Sequence, residues 1–224
     1  MVIMPTVPVF PLNTVLFPSM PLHLHIFEDR YKQMVKECVD QNEPFGVTLI
    51  QSGTEVAHPY MPTHPHLIGC LAQIKRVHPL NAGKLNIDAV GTDRFRILQL
   101  DYSYPYLAAN IEYMPMERTV SQLANERVIQ LRKMIEQYLQ RLTKTRNTPD
   151  IRENNLPNAP HHIAYFAAMI LKVDAIEKQQ LLESPDVSTL INRLYKSYRH
   201  ELIINQVMEN EPDTKSNAFP FSSN

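Results

Sequence analysis

The chain has 224 residues, of which 44% are hydrophobic and 20% charged, with a formal net charge of -1. That is the composition of a globular chain able to bury a core, and so even a charge balance supplies no overall field drawing it to nucleic acid or an acidic membrane. Its two cysteines, Cys38 and Cys70, lack C-x-x-C spacing and read as reduced thiols packed as small hydrophobes, which fits a reducing cytoplasm.

Residues 1–10 contain no Lys or Arg and are interrupted by Pro5 and Pro8, so no secretion signal is expected there. No run of about 18 apolar residues offers a membrane-spanning helix. With 18 prolines and 5 glycines, the apolar first half is expected to use extended edges and rigid loops rather than long helices.

From Val7 to about Met114 the chain reads as short strands. Pro21 to Ile26 alternates strictly, with Leu22, Leu24 and Ile26 on one face and His23 and His25 on the other. A helix is predicted from near Phe27 to about Asp40, because Tyr31, Met34, Val35, Cys38 and Val39 recur at spacings of three and four. Its place is over one end of a barrel. Further strands are predicted at Phe45–Ile50, Leu67–Val77, Lys84–Val90, Arg94–Leu100 and Leu107–Tyr113. Asn81-Ala82-Gly83 and Val90-Gly91-Thr92-Asp93 read as tight turns, where glycine supplies a positive φ. Ala57 to Leu67, with Pro59, Pro62 and Pro65, is expected to be an exposed loop carrying Tyr60 and Met61 outward.

After about Arg118 the period becomes helical. Leu123, Val128, Leu131, Ile135, Tyr138 and Leu142 mark one long amphipathic helix, and Pro160 opens a second containing Ile163, Phe166, Ala167, Ile170 and Leu171. Asp174 and Glu177 have capping-box spacing and announce a third, which stops at Ser184-Pro185. A fourth carries Leu190, Ile191, Leu194, Tyr195, Tyr198 and Leu202. The expectation is an α+β chain: a β-barrel-like module with one inserted helix over residues 1–117, a helical bundle over 118–210, and a disordered tail over 211–224.

The run Pro11-Leu12-Asn13-Thr14-Val15-Leu16-Phe17-Pro18-Ser19-Met20-Pro21-Leu22 fits P-L-x-x-V-x-F-P-x-x-x-L and resembles the opening of the Lon-protease N-terminal domain. Ile26 to Tyr31, Gly69 to Ile74, and Gly91 to Ile97 with its G-x-x-R-F-x-I, resemble that family's strand-to-helix junction, central strand and hairpin, in the same order. The resemblance runs from about Val7 to Glu209. It implies a PUA-like pseudobarrel followed by helices, no cofactor, and a role in binding unfolded polypeptides or a protein partner, alone or as an adaptor of an ATP-dependent protease. The motif positions read as fold residues: Leu12, Val15, Phe17 and Leu22 as a barrel floor, and Pro11 and Pro18 as rigid connections. Phe27 and Arg30 stand at the helix junction, with Arg30 expected to meet a carboxylate. Gly69 lies in the central strand and Gly91 in the hairpin, while Arg94 and Arg96 flank Phe95 on the opposite strand face.

Chemistry is scarce in the sequence. Glycines 46, 53, 69, 83 and 91 never give the G-x-x-x-x-G-K spacing of a phosphate-cradling loop, and neither S-x-x-K nor G-x-S-x-G occurs, so no enzyme activity is expected. His58, His64 and His66 share a loop and could converge with Cys70 or His78, but no acidic residue beside them would orient an imidazole; they read as solvated rather than as metal ligands. Lys75, Arg76, Arg94 and Arg96 on neighbouring strands keep a nucleic-acid-binding barrel as the second reading, one that rests on fold analogy. The favoured reading is polypeptide binding, with Tyr60, Met61 and Tyr104, the last in a period-two set with Tyr102 and Tyr106, as candidate contacts.

Overall fold

The computed structural model describes residues 5–55, 63–144 and 156–210. Its elements run β1 (Thr6–Leu12), β2 (Pro21–Ile26), α1 (Asp29–Gln41), β3 (Phe45–Ser52), β4 (His64–Pro65), β5 (Ile68–Pro79), β6 (Leu85–Asp101) and β7 (Ala108–Tyr113). Four helices follow: α2 (Gln122–Lys144), α3 (Pro160–Ile170), α4 (Ala175–Leu182) and α5 (Val187–Asn210). The result is a mixed sheet with helices, and among the described residues no helix is long and apolar enough to cross a membrane.

The strands pair in the order β1-β7-β6-β5-β3, and a parallel β1–β3 ladder, Val9 opposite Gly46 through Leu12 opposite Leu49, joins the two ends of that path. Ring closure removes the long free edges that an open sheet would present. β2 pairs with β6 off this path, and its alternation is as predicted: Leu22 and Ile26 are buried, His23 and His25 exposed. α1 lays Tyr31, Met34, Val35 and Cys38 into a cluster with Phe10, Leu12, Leu22 and Phe45, so it covers the inside of the strand ring. Val39, expected on that face, is 48% exposed. Asn42 stops the helix in the left-handed conformation, φ 54°, with its own N–H and that of Glu43 turned back to Val39 and Cys38 carbonyls.

The predicted turn at Gly91 is absent: β6 runs unbroken through it, and Gly91 is not among the described glycines with positive φ. Close approach explains the glycine instead. Gly91 N–H donates to Met20 C=O at 2.9 Å, its C=O accepts from Ser19 N–H at 2.8 Å, and a Cβ there would stand 2.2 Å from the Phe17 carbonyl oxygen. Gly46 and Gly69 likewise make room for one ring, since added Cβ atoms would lie 2.7 and 2.8 Å from Phe95 Cζ. The turn predicted at Asn81-Ala82-Gly83 is present, with φ 59° at Ala82 and 67° at Gly83.

Arg94 departs from the predicted polar face. It is 2% exposed, and its Nη1 donates to the carbonyls of Leu182 at 2.8 Å and Ser184 at 2.5 Å, at the end of α4. The register of β6 against β5 slips between Cys70 and Ala72, which breaks simple alternation and buries Arg94 and Phe95 in succession. The expected barrel floor also divides. Leu12 and Leu22 pack with α1, whereas Val15 and Phe17 join Leu49 in one cluster with Leu131, Ile135, Leu190 and Leu194 of the helices.

In the helical half, Pro160 occupies the first turn of α3, and Asp174 caps α4 by accepting from Glu177 N–H at 2.7 Å. α2 turns Ala124, Val128, Leu131, Ile135 and Tyr138 inward, while Leu123, predicted on that stripe, is 51% exposed because Ala124 takes the inward position.

Candidate functional site

Tyr60, Met61 and His58 lie outside the described residues. The segment predicted as an irregular loop ends differently from expectation: His64 and Pro65 form β4 against Ile50 and Ser52 of β3, and Pro65 is buried. A short edge pairing tolerates proline, whose missing N–H can face away from the ladder. His66 is half-buried with Nδ1 3.9 Å from Glu183 Oε1, an acidic neighbour supplied by the helices. Among the described residues no group of three or more His, Cys, Asp or Glu is arranged to hold a metal.

Tyr104 sits in the β6–β7 connection, 46% exposed, and stacks on Tyr106 with ring centroids 5.7 Å apart. Tyr102, Tyr104 and Tyr106 do not form a strand, so their period of two has no structural meaning; Tyr102 is 63% exposed and Tyr106 only 5%. The Tyr106 hydroxyl donates to Glu37 Oε2 on α1, and Gln33 Nε2 donates to the other carboxylate oxygen at 2.8 Å. Those donors, Tyr106 first, hold the Glu37 carboxyl below its usual range. Tyr104 is thereby mounted on a wall tied to the helix.

That wall bounds a groove of about 390 Å³. Its other sides are Pro5 with Thr6 to Pro8 of β1, Gln41 at the end of α1 with Glu43 and Pro44 of the α1–β3 connection, and Tyr113 at the end of β7. Val9 N–H donates to Leu107 C=O and Ile111 N–H to Pro5 C=O, so odd-numbered residues of β1 face β7. Successive residues of a strand direct their backbone groups to opposite sides. Thr6 N–H and Thr6 C=O therefore face the groove, while the β1–β3 ladder begins at the Val9–Gly46 pair, which engages the Pro8 carbonyl as acceptor for Gly46 N–H. Pro44, lacking an N–H, cannot extend that ladder backward. The groove thus offers a short open strand edge, exposed tyrosines and two carboxylates. Sequence reading found Tyr104 but missed this edge, because a gap in a parallel pairing leaves no local signal.

Other groups with perturbed protonation have structural explanations. Burial pushes the Cys38 thiol up to about 11 and raises Cys70 further, the wrong direction for a nucleophile. Burial lowers Lys178 to about 8, yet its Nζ donates to the carbonyls of Ala168 and Met169 at 2.9 and 2.8 Å, closing the end of α3. Of the basic residues considered for nucleic acid, Lys75, Arg76 and Arg96 are exposed, but Arg94 is sealed beneath the helices.

The family model described as ATP-dependent protease La (LON) substrate-binding domain matches residues 6–199. A Lon protease of Syntrophus aciditrophicus is 24% identical over 214 residues, 90% of this chain and 25% of that protein. Lon protease 2 of Herpetosiphon aurantiacus is 27% identical over 191 residues, 84% of this chain and 23% of that one. The chain thus spans about a quarter of the length of these curated relatives. Among solved structures, a Lon N-terminal domain protein from Xanthomonas campestris superposes with TM-score 0.62 and 20% identity, covering 86% of this chain and 98% of that one. The N-terminal domain of Mycobacterium avium complex Lon protease gives TM-score 0.66 at 18% identity, with 87% and 98% covered.

Proposed function

The chain belongs to the ATP-dependent protease La (LON) substrate-binding domain family, and from that premise we propose that it is a non-catalytic module that captures unfolded polypeptide segments in the Tyr104 groove. The observation that carries this reading is the open backbone of Thr6 at the start of β1 beside exposed Tyr104 and Tyr113, since backbone pairing provides affinity for any extended chain and aromatic side chains provide adaptable apolar contact. Tyr60 and Met61 enter the proposal from the sequence alone, as a further contact. The closed strand ring is read as a PUA-like pseudobarrel on which α2 to α5 dock as a bundle, and a cytoplasmic setting accords with two buried free thiols. Lacking a phosphate loop and a serine-lysine pair in its sequence, the chain delivers or holds polypeptide rather than cutting it.

Fluorescence anisotropy with labelled casein, an unfolded model polypeptide, tests the reading. The double change Tyr104→Ser and Tyr113→Ser weakens binding several-fold with an unchanged melting temperature. Wild-type protein that does not bind casein, or a variant that binds it as tightly, overturns the proposal. Tyr60→Ser with Met61→Ser is measured in parallel, to show whether that segment contributes.

A further inference from the structure

Every titratable side chain lining the groove is either an acid or a weakly acidic thiol or phenol: Glu37 and Glu43 stand there with Cys38 and three tyrosines, and no Lys, Arg or His joins them. Glu43 is exposed, fixed at the groove by the left-handed turn at Asn42 that ends α1. The C-terminus of α1 adds the negative end of a helix dipole in the same place, with no basic residue in its last turn. Against a whole-chain charge of -1, this is a local acidic site.

We infer that the groove selects extended segments that present a lysine or arginine side chain to the Glu43 end while their backbone pairs with Thr6. The inference rests on the polypeptide-binding reading above and adds the chemistry of the occupant. Geometry sets the division of labour. Thr6 supplies one donor and one acceptor, and the Pro8 carbonyl is engaged in the β1–β3 ladder, so the incoming strand is held by few backbone bonds. A strand held so weakly needs side-chain contacts for residence. Exposed Tyr104 and Tyr113 can take apolar residues or the face of a guanidinium, and the carboxylate of Glu43 can take its charge. An acidic segment meets like charge at the same point.

The test uses the full chain and two labelled, apolar, extended peptides identical except for a central Arg or Glu, with anisotropy read at low and at physiological salt. Wild-type protein binds the Arg peptide at least five-fold more tightly than the Glu peptide, and the preference shrinks as salt rises. Glu43→Lys, at an exposed position, leaves the melting temperature unchanged and reverses the preference. Methylating alternate backbone nitrogens of the Arg peptide weakens it at least five-fold. Equal binding of both peptides, or a preference unmoved by Glu43→Lys, overturns the charge selection while casein binding still stands. Methylation without effect in both registers overturns the strand pairing. Failure of casein itself to bind removes the underlying reading as well.

Discussion

Arg94 of β6 donates through Nη1 to the carbonyl oxygen of Leu182 at 2.8 Å, joining the sheet to the end of α4 across 88 positions of sequence. The same nitrogen reaches the Ser184 carbonyl, and Gln179 repeats the link in the other direction by donating to Ile68 C=O at 2.9 Å. Burial lowers the Arg94 pKa, yet a guanidinium stays charged at any ordinary pH, so the cation remains in the interface. Arg94→Met leaves the two carbonyls without a charged donor, each such bond being worth about 1.5–3 kcal/mol, and relief of the buried charge offsets part of the loss. The expected net destabilisation is about 1–3 kcal/mol by urea denaturation, against a change within about 0.5 kcal/mol for Arg96→Met on the exposed side. Equal stability of the two variants would mean that the clamp contributes nothing.

Two glycines separate two uses of a missing side chain. At Gly91 an added methyl would stand 2.2 Å from the Phe17 carbonyl oxygen, a backbone atom that cannot swing aside, whereas at Gly83 the nearest atom is the flexible Lys32 Nζ at 4.0 Å and only the positive φ of 67° resists. Gly83→Ala should therefore cost about 1 kcal/mol. Gly91→Ala forces a backbone shift and should cost about 3 kcal/mol or more. Comparable melting temperatures for the two variants would contradict the close approach.

The contrast shows what local pattern could and could not reveal. Period-two alternation placed β2, and period-three-and-four spacing placed α1 and the later helices, because burial of one face is written into neighbouring residues. Gly91 was misread because a glycine between two strand-like runs looks the same whether it turns the chain or admits another backbone. Arg94 was misplaced because the slip in register against β5 depends on a partner strand some twenty residues earlier. Tyr104 is visible as a candidate, but the Thr6 edge facing it exists only once β1 closes the ring.

Phe17 has no exposed surface and belongs to the cluster that Val15 and Leu49 share with the helices, so its loss is felt on both sides. Phe17→Ala should destabilise by about 3–5 kcal/mol. Since this ring bridges sheet and helices, wild-type unfolding should be a single transition by both far-ultraviolet circular dichroism and tyrosine fluorescence, and Phe17→Ala should separate the two signals. Coincident curves in the variant, shifted together, would show that other contacts suffice to couple the halves.

The bond from Tyr106 to Glu37 makes a pH prediction whose sign can be worked out. Hydrogen bonding by Tyr106, then by Gln33, favours the ionised carboxylate and places its folded-state pKa below the ordinary 4.5, against a smaller upward push from burial. Between the depressed value and the ordinary one, the unfolded chain binds more protons than the folded one. The contact therefore contributes stability above the ordinary carboxylate pKa, and that contribution is lost as pH falls through the depressed value. Carboxyl-carbon NMR titration should give a Glu37 midpoint below 4.5 in the wild type. Tyr106→Phe should return it toward 4.5, and Gln33→Ala should do so to a smaller extent, in keeping with the order of the two donors. Because Tyr104 stacks on Tyr106, loss of this bond also frees the groove wall, so casein binding should weaken over the same acidic window in the wild type and should already be weakened at neutral pH in Tyr106→Phe. A midpoint that Tyr106→Phe leaves unmoved would show that the hydroxyl does not hold the carboxylate, and the wall supporting Tyr104 would need another anchor.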